Sequence, residues 1–314
     1  MELLSGIHNI KQTQQGCVLS IGNFDGIHLG HEAVLARLIL EAKRLNTIST
    51  VMTFEPQPAE LFCGDNAPAR LSRLRDKYKQ LKALGLARLL CLPFTHQFAN
   101  ITANEFIDAL LIKQLNVKFL VVGDDFHFGY QRQGGFKLLQ KAGKKYGFSV
   151  IDTNSLMVDH HRVSSTLIRD ALVEGDLAQA NKMLGRKYSI SGRVSHGQKL
   201  GRTIGVPTAN LALKRQVSPV SGVFVVTVLG LEKIGLAKSY QGVANIGTRP
   251  TVNGTRQQLE VNIFDFDADI YGCQLEIVLE KKLRNEVKFD SFNELKAQIN
   301  KDIKEAKQWH AVNK

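Results

Sequence analysis

The sequence predicts an α/β parallel, doubly wound domain followed by an all-β antiparallel barrel domain that ends in a helix. Three observations carry that expectation. From residue 17 to about 151, short apolar runs alternate with segments of helical periodicity, the pattern of a parallel sheet covered on both faces. After residue 185, the next hundred residues read as strands rich in Val, Ile and aromatics, with turns between them and little helical periodicity. A chain of 314 residues with 44% hydrophobic residues also exceeds one comfortable core, and length favours about two domains. The predicted division is 1–184 and 185–314.

In the first domain the candidate strands are 17–21, 48–54, 88–92, 118–122 and 148–151. A helix is expected over 31–46, where Val34, Leu35, Leu38, Ala42 and Leu45 recur every three or four residues. Leu74, Tyr78 and Leu81 give 72–84 the same spacing, and 102–115 opens with the capping box Thr102-x-x-Glu105. Two short helices, 165–173 and 176–184, end at Gly185. Candidate strands then fall at 188–194, 222–229, 236–244, 258–264 and 274–280, and five or six strands in so short a domain suggest a closed antiparallel barrel. The last helix begins at the capping box Ser291-x-x-Glu294 and runs to about Trp309.

The formal net charge of +12 favours anionic partners in general. The basic residues are dispersed, as in Lys141, Lys144 and Lys145 or Lys281, Lys282 and Arg284, and no run of five like charges occurs. Solvated lysines plus phosphate-binding residues in clefts explain this better than a nucleic-acid surface, which would interleave exposed aromatics with its cations. Cys17, Cys63, Cys91 and Cys273 form no CxxC pair, so neither a zinc ribbon nor a disulfide scaffold is expected. Three of them lie in apolar surroundings, which predicts buried free thiols. Residues 1–16 lack the apolar core of a signal peptide and no apolar stretch reaches membrane-spanning length, so a soluble, cytoplasmic protein with no membrane partner is expected.

The most informative stretch runs from Gly22 through Asn23, Phe24, Asp25, Gly26, Ile27, His28, Leu29 and Gly30 to His31, where a strand turns into a helix. Two imidazoles one helical turn apart can grip the same anion. The helix N-terminus adds unpaired N–H groups and the positive end of the macrodipole, and the glycines let phosphate oxygens approach the backbone. Two further segments belong with it. Gly123-Asp124-Asp125-Phe126-His127-Phe128-Gly129-Tyr130-Gln131-Arg132 follows the last strand but one of the predicted sheet, and Ser164-Ser165-Thr166-Leu167-Ile168-Arg169 opens a helix with hydroxyls and a planar guanidinium suited to phosphates. These three segments resemble the GxFDGxHxGH, GxDFxFGxxRxG and SSTxIR blocks of bacterial FAD synthetases, within the wider HxGH class of nucleotidyltransferases. The resemblance implies transfer of AMP from ATP to FMN with release of pyrophosphate. His28 and His31 would hold the ATP phosphates, Asn23 and Asp25 would shape the turn, and Gly22, Asn23, Phe24 and Asp25 would all belong to the ATP-binding set. Ser164, Thr166 and Arg169 would grip the β and γ phosphates, and Asp125 and Arg132 would line the flavin side.

A second constellation follows. Gly192, Gly197, Gly201 and Gly205 punctuate a segment with Arg193, Lys199 and Arg202 that runs into Pro207-Thr208-Ala209-Asn210. A flexible cationic loop can fold over phosphates, and the rigid proline fixes a following Thr and Asn as hard oxygen donors. The Pro-Thr-Ala-Asn sequence, with Asn245-Ile246-Gly247-Thr248-Arg249-Pro250-Thr251, Leu259-Glu260-Val261-Asn262, Tyr271-Gly272 and Leu283-Arg284-Asn285-Glu286, resembles riboflavin kinases. By that resemblance Gly197, Lys199, Gly201 and Arg202 contact ATP, Thr208 and Asn210 coordinate Mg²⁺-ATP, Glu260 is the base toward the ribityl 5′-hydroxyl, and Arg284 lies on the flavin side. His127, Gly135 and Val287 depart from the family pattern. The whole chain thus reads as a bifunctional enzyme making FMN from riboflavin and FAD from FMN, with ATP and Mg²⁺, as a monomer or weak homo-oligomer. A nucleotidyltransferase for another phosphorylated metabolite would leave Pro207–Asn210 and the Glu260 strand unexplained, and a nucleic-acid binder would leave both constellations unexplained.

Overall fold

The computed structural model describes residues 1–10, 16–123, 126–153, 157–158, 161–196, 206–213, 217–251 and 254–313. The chain forms two compact units: Met1–Pro68 with Ser72–Ser165, and Ala69–Leu71 with Thr166–Lys314.

The first unit contains strands β1 (Glu2–Ser5), β2 (Cys17–Ile21), β3 (Ile48–Phe54), β4 (Arg88–Leu92), β5 (Val117–Gly123) and β6 (Ser149–Thr153). They form one sheet in the order β1-β4-β3-β2-β5-β6, every pairing parallel. Helix α1 (Leu29–Arg44) follows β2, α2 (Pro58–Cys63) and α3 (Leu74–Ala83) follow β3, and α4 (His96–Ala99) and α5 (Ala103–Glu105) follow β4. Helix α6 (Phe136–Tyr146) leads into β6. Both faces of the sheet are covered, so alternate residues of β2 enter different cores. Cys17, Leu19 and Ile21 pack with Leu110, Leu120 and Leu139 on one side, and Val18 packs with Leu35, Leu38 and Leu81 on the other.

The predicted helix over 102–115 is present but not wholly α. Thr102 and Glu105 form the expected capping box, after which Phe106–Gln114 winds as a π-helix. Its wider turn shows where the Leu115 N–H reaches the Leu110 carbonyl, five residues back, at 3.0 Å. Two of the four thiols are buried, not three: Cys17 and Cys91 lie in strands, Cys273 is half-buried and Cys63 is exposed at the end of the short surface helix α2. Burial pushes the Cys17 thiol up to about 12. A two-residue hairpin, β7 (Met157–Val158) with β8 (His161–Arg162), follows the sheet.

Helices α7 (Ser165–Glu174) and α8 (Leu177–Leu184) come next; Asp176 caps α8, and Gly185, left-handed, ends it. The second unit is dominated by a closed barrel of β9 (Ser189–Ser195), β10 (Ala209–Ala212), β11 (Gly222–Leu229), β12 (Ser239–Thr251), β13 (Gly254–Ile263) and β14 (Gln274–Arg284). Its order is β10-β13-β12-β11-β14-β9, closed by pairing of β9 with β10. Phe224, Ile246, Leu259, Val261 and Leu211 are fully buried on the inner face. Helix α9 (Phe292–Val312) covers part of the outside, where Ala306, Ile303 and Trp309 pack on Val223, Val225 and Val243.

Candidate active sites

In the first unit the strand order reverses beside β2, which sends its crossover to β3 on one side while β5 lies on the other. The crevice beyond the carboxyl ends at such a point is where open parallel sheets receive ligands. The segment Gly22–Gly30 occupies it. Its backbone is unusual: Phe24 and Ile27 hold φ of 45° and 42°, a left-handed conformation rare for a bulky residue and rarer for a β-branched one. Burial in the core holds these two side chains down, with Ile27 only 1% exposed. Side chains from distant sequence fasten the turn itself. Ser72 donates its N–H to Asp25 Oδ1 at 3.0 Å, and its Oγ accepts the Gly26 N–H at 3.0 Å. Ser165 Oγ donates to the Asp25 carbonyl at 2.9 Å. Lys77 and Thr53 both reach the Asn23 carbonyl.

The turn delivers His28 to the N-cap of α1, where its Nδ1 accepts the His31 N–H at 3.2 Å. The two imidazoles stack at 3.6 Å between centroids and 15° between planes, and Phe24 packs on His31 at 5.0 Å. Gly30 makes room for this: a Cβ there would lie 3.2 Å from the His28 ring. The arrangement presents one aromatic, hydrogen-bonding face at a helix N-terminus, suited to an anionic ligand.

Phenylalanines form a row on the same carboxyl side of the sheet that sequence reasoning did not single out. Phe54 ends β3, and the ring contacts run from Phe62 through Phe94, Phe98 and Phe106 to Phe128 and Phe126. Phe62 is 63% exposed, an open apolar surface at the end of the row. Arg132 is exposed on the turn that follows, with φ of 58°, while Asp125 lies outside the described residues. Ser164 is half-buried just before α7. Thr166 and Arg169 fall in the second unit, where Arg169 Nε donates to the Ala69 carbonyl at 2.5 Å. A cavity of about 1000 Å³ in the first unit lies away from this crevice. Arg37, Arg44, Lys141 and Lys144 line it beside Phe119 and Ser149, at the amino ends of β5 and β6.

The second constellation sits on the outside of the barrel. Glu260 on β13 is directly opposite Asn210 on β10 and opposite Asn245 on β12. Residues opposite one another in antiparallel pairs share a face, so three polar side chains form one row across three strands. Their neighbours Leu211, Leu259, Val261 and Ile246 point into the core, which is why the row faces out. Thr208, two residues before Asn210, is half-buried at the start of β10. Asn210 Oδ1 accepts from Gln258 Nε2, and Asn262 Nδ2 donates to the Pro207 carbonyl at 2.8 Å, fixing the approach of the Pro207–Asn210 segment. Glu286 adds a carboxylate near this row: its Oε1 accepts from Asn245 Nδ2 at 3.5 Å and sits where a Cβ on Gly247 would be, 1.7 Å away. Gly197, Lys199, Gly201 and Arg202 lie outside the described residues. Arg284 turns its guanidinium to Asp302 of α9 in a fork, with Nη2 2.7 Å from Oδ2, and donates to the Asn285 carbonyl.

Two family models match separate parts of the chain. The family model of FAD synthetase matches residues 10–167, and that of riboflavin kinase matches residues 184–310. The bifunctional riboflavin kinase/FMN adenylyltransferase of Escherichia coli (strain K12) is 54% identical, over 100% of this chain and 99% of its own length. The protein of the same description from Haemophilus influenzae is 50% identical over 98% of each chain. A crystal structure described as a macrolide-efflux protein from Streptococcus pneumoniae has a TM-score of 0.79 at 33% identity, over 96% of this chain and 97% of that one. Among the described residues, no helix is long and apolar enough to cross a membrane. The full-length identities and the two family matches show that this chain belongs to the family of bifunctional riboflavin kinase/FMN adenylyltransferases.

Proposed function

We propose that the chain phosphorylates riboflavin to FMN in its barrel and then adenylylates FMN to FAD, with release of pyrophosphate, in its parallel-sheet unit. The functional division is 1–184 and 185–314. The observation that carries this reading is that one chain holds both a stacked histidine pair at a helix N-terminus and the Asn210–Glu260–Asn245 row. The two suit ATP chemistry at different phosphorus atoms.

Within residues 1–184 His28 and His31 hold the ATP phosphates, Asn23 and Asp25 shape the turn, Gly22 and Phe24 contact the nucleotide, and Ser164, Thr166 and Arg169 grip the β and γ phosphates. The FMN phosphate oxygen attacks the α-phosphorus and pyrophosphate leaves, so the site supplies positioning and charge neutralisation rather than a covalent nucleophile. Asp125 and Arg132 line the flavin side, and the exposed Phe62 end of the phenylalanine row offers the tricyclic ring an aromatic surface. In the barrel Glu260 accepts the proton of the ribityl 5′-hydroxyl as that oxygen attacks the γ-phosphorus, the bond to the β–γ bridging oxygen breaks and ADP leaves. Gly197, Lys199, Gly201 and Arg202 are assigned to ATP by the resemblance of their motif alone, and Arg284, paired with Asp302, lies on the flavin side.

Thr208 and Asn210 fit a magnesium ion by the chemistry of their donors. A hydroxyl just before β10 and an amide oxygen on it, two residues apart, are hard ligands, and Mg²⁺ takes few of these beside substrate phosphates. Gln258 orients the amide so that Asn210 Oδ1 stays on the row. When bound, the ion would neutralise phosphate charge as it transfers. The reading places the enzyme in the cytoplasm, as a monomer or weak homo-oligomer with no membrane or nucleic-acid partner. Incubation with riboflavin, ATP and Mg²⁺, with flavins resolved over time, tests it. FMN should rise first and FAD follow; absence of both nucleotides overturns the reading, and FMN without FAD removes the adenylyl half.

A further inference from the structure

We infer that Lys77 is a positioning residue for adenylyl transfer, acting through the peptide between Asn23 and Phe24. The inference rests on the proposed adenylyl transfer in the first unit. Lys77 lies on α3, 54 residues from Asn23, and is 2% exposed. Its Nζ donates to the Asn23 carbonyl at 2.5 Å and to Thr53 Oγ1 at 3.3 Å, while Thr53 Oγ1 donates to the same carbonyl at 3.3 Å. Ammonium, hydroxyl and carbonyl thus close a triangle beneath the turn.

Burying an ammonium is costly, and a methionine would fill the same space without that cost. The lysine therefore earns its place by what its hydrogen bonds hold. What they hold is one peptide plane. A trans peptide directs its carbonyl and its N–H to opposite sides, so a carbonyl fixed toward Lys77 turns the Phe24 N–H away from α3. The next residue cannot set this orientation alone, because Phe24 sits at φ 45°, where the backbone is unfavourable without outside support. The neighbouring groups are held the same way from elsewhere, the Asp25 carbonyl by Ser165 and the Gly26 N–H by Ser72. Lys77 completes that set at the first peptide of the turn, five residues before His28 enters the N-cap. Without it the 23–24 peptide is free to rotate, and the geometry presented to the ATP phosphates degrades. Lys77 itself does not touch the nucleotide.

The test uses the full chain with Lys77→Met, which keeps volume and removes the donor, and Lys77→Gln, which keeps a shorter donor. FMN adenylylation is measured against ATP and FMN separately, with riboflavin phosphorylation as the control for protein quality and thermal unfolding as the control for fold. For Lys77→Met, kcat/KM for ATP should fall at least tenfold, with the KM for FMN and riboflavin phosphorylation each within twofold of wild type. Lys77→Gln should fall between. If Lys77→Met does not fold, Lys77→Gln decides, with at least a threefold loss in kcat/KM for ATP expected. A folded variant with kcat/KM for ATP within twofold of wild type overturns the inference, as does an equal rise in KM toward ATP and FMN, the mark of a merely structural residue. Failure of both variants to fold also overturns it, by making Lys77 a folding requirement. A wild-type chain that makes no FAD from FMN and ATP overturns instead the function on which this rests.

Discussion

The two candidate sites reach their geometry by opposite means. In the parallel-sheet unit the candidate groups follow a tight turn with left-handed residues that is pinned by Thr53, Ser72, Lys77 and Ser165. In the barrel the groups sit on regular strands, and antiparallel register alone places Asn210, Glu260 and Asn245 in line. The turn offers nitrogen donors and a helix terminus, which suit phosphates directly. The row offers oxygen acceptors, which suit a proton or a hard cation. Irregular backbone needs outside fastening because neither a helix nor a ladder satisfies it, whereas a row on strands inherits its geometry from the sheet.

The comparison breaks most sharply at the histidines. The double variant His28→Ala with His31→Ala should abolish FAD formation while FMN still accumulates from riboflavin, since each lost contact to developing phosphate charge costs on the order of a hundredfold. Undiminished FAD in a flavin time course would remove the pair from the mechanism. At the barrel, Glu260→Gln should lower riboflavin phosphorylation by about 10²–10⁴-fold and leave conversion of supplied FMN to FAD intact. Kinase turnover near wild type would return Glu260 to a carboxylate on a polar strand face and direct attention to Glu286. Residual activity is compatible with the role, because positioning carries much of phosphoryl transfer.

Smaller changes sharpen the contrast between fastened turn and inherited row. Gly30→Ala sets a methyl 3.2 Å from the His28 ring, so the stacked pair must shift. FAD synthesis should drop by roughly tenfold with riboflavin phosphorylation unchanged; equal rates in both assays would mean the ring adjusts without loss. On the barrel, Asp302→Ala leaves the Arg284 guanidinium without its fork and should cost roughly 2–3 kcal/mol, because Asp302 is buried and Arg284 mostly so. Trp309, the single tryptophan, lies on α9 where it packs on the barrel, and reports that loss directly in urea unfolding followed by its fluorescence. An unchanged midpoint would show that α9 stays docked on its apolar contacts alone.

Most elements were legible because their signals are local. Strands β2, β3, β4 and β11 begin and end where their apolar runs do. The misses have physical causes. Strand β1 is short and mostly exposed at the sheet edge, so it carries no apolar run. Strand β10 is four residues long and lies inside the Pro207–Asn210 motif, where Thr and Asn read as ligands rather than as a strand. Strand β12 runs on to Thr251 through Gly242, Gly247 and Pro250, residues that ordinarily mark turns; Gly242 is required there because a Cβ would meet the Asn262 carbonyl at 2.6 Å. Helix α1 starts at Leu29, not at His31, because His28 itself is the cap.

The site divides along the same line. By itself the sequence determined the fold class, the motif that turns strand into helix, the capping boxes and the residue types available for each chemistry. Periodicity of 2 and 3.6 and the chemistry of a short motif act over a few residues. Only the tertiary structure decided that Ser72 and Lys77 fasten a turn some fifty residues away, that Arg284 spends its guanidinium on Asp302, and that Asn210, Glu260 and Asn245 align. Such convergence depends on register and packing between segments that are far apart in the chain, and no local pattern encodes which of several lysines, serines or asparagines will be the one that arrives.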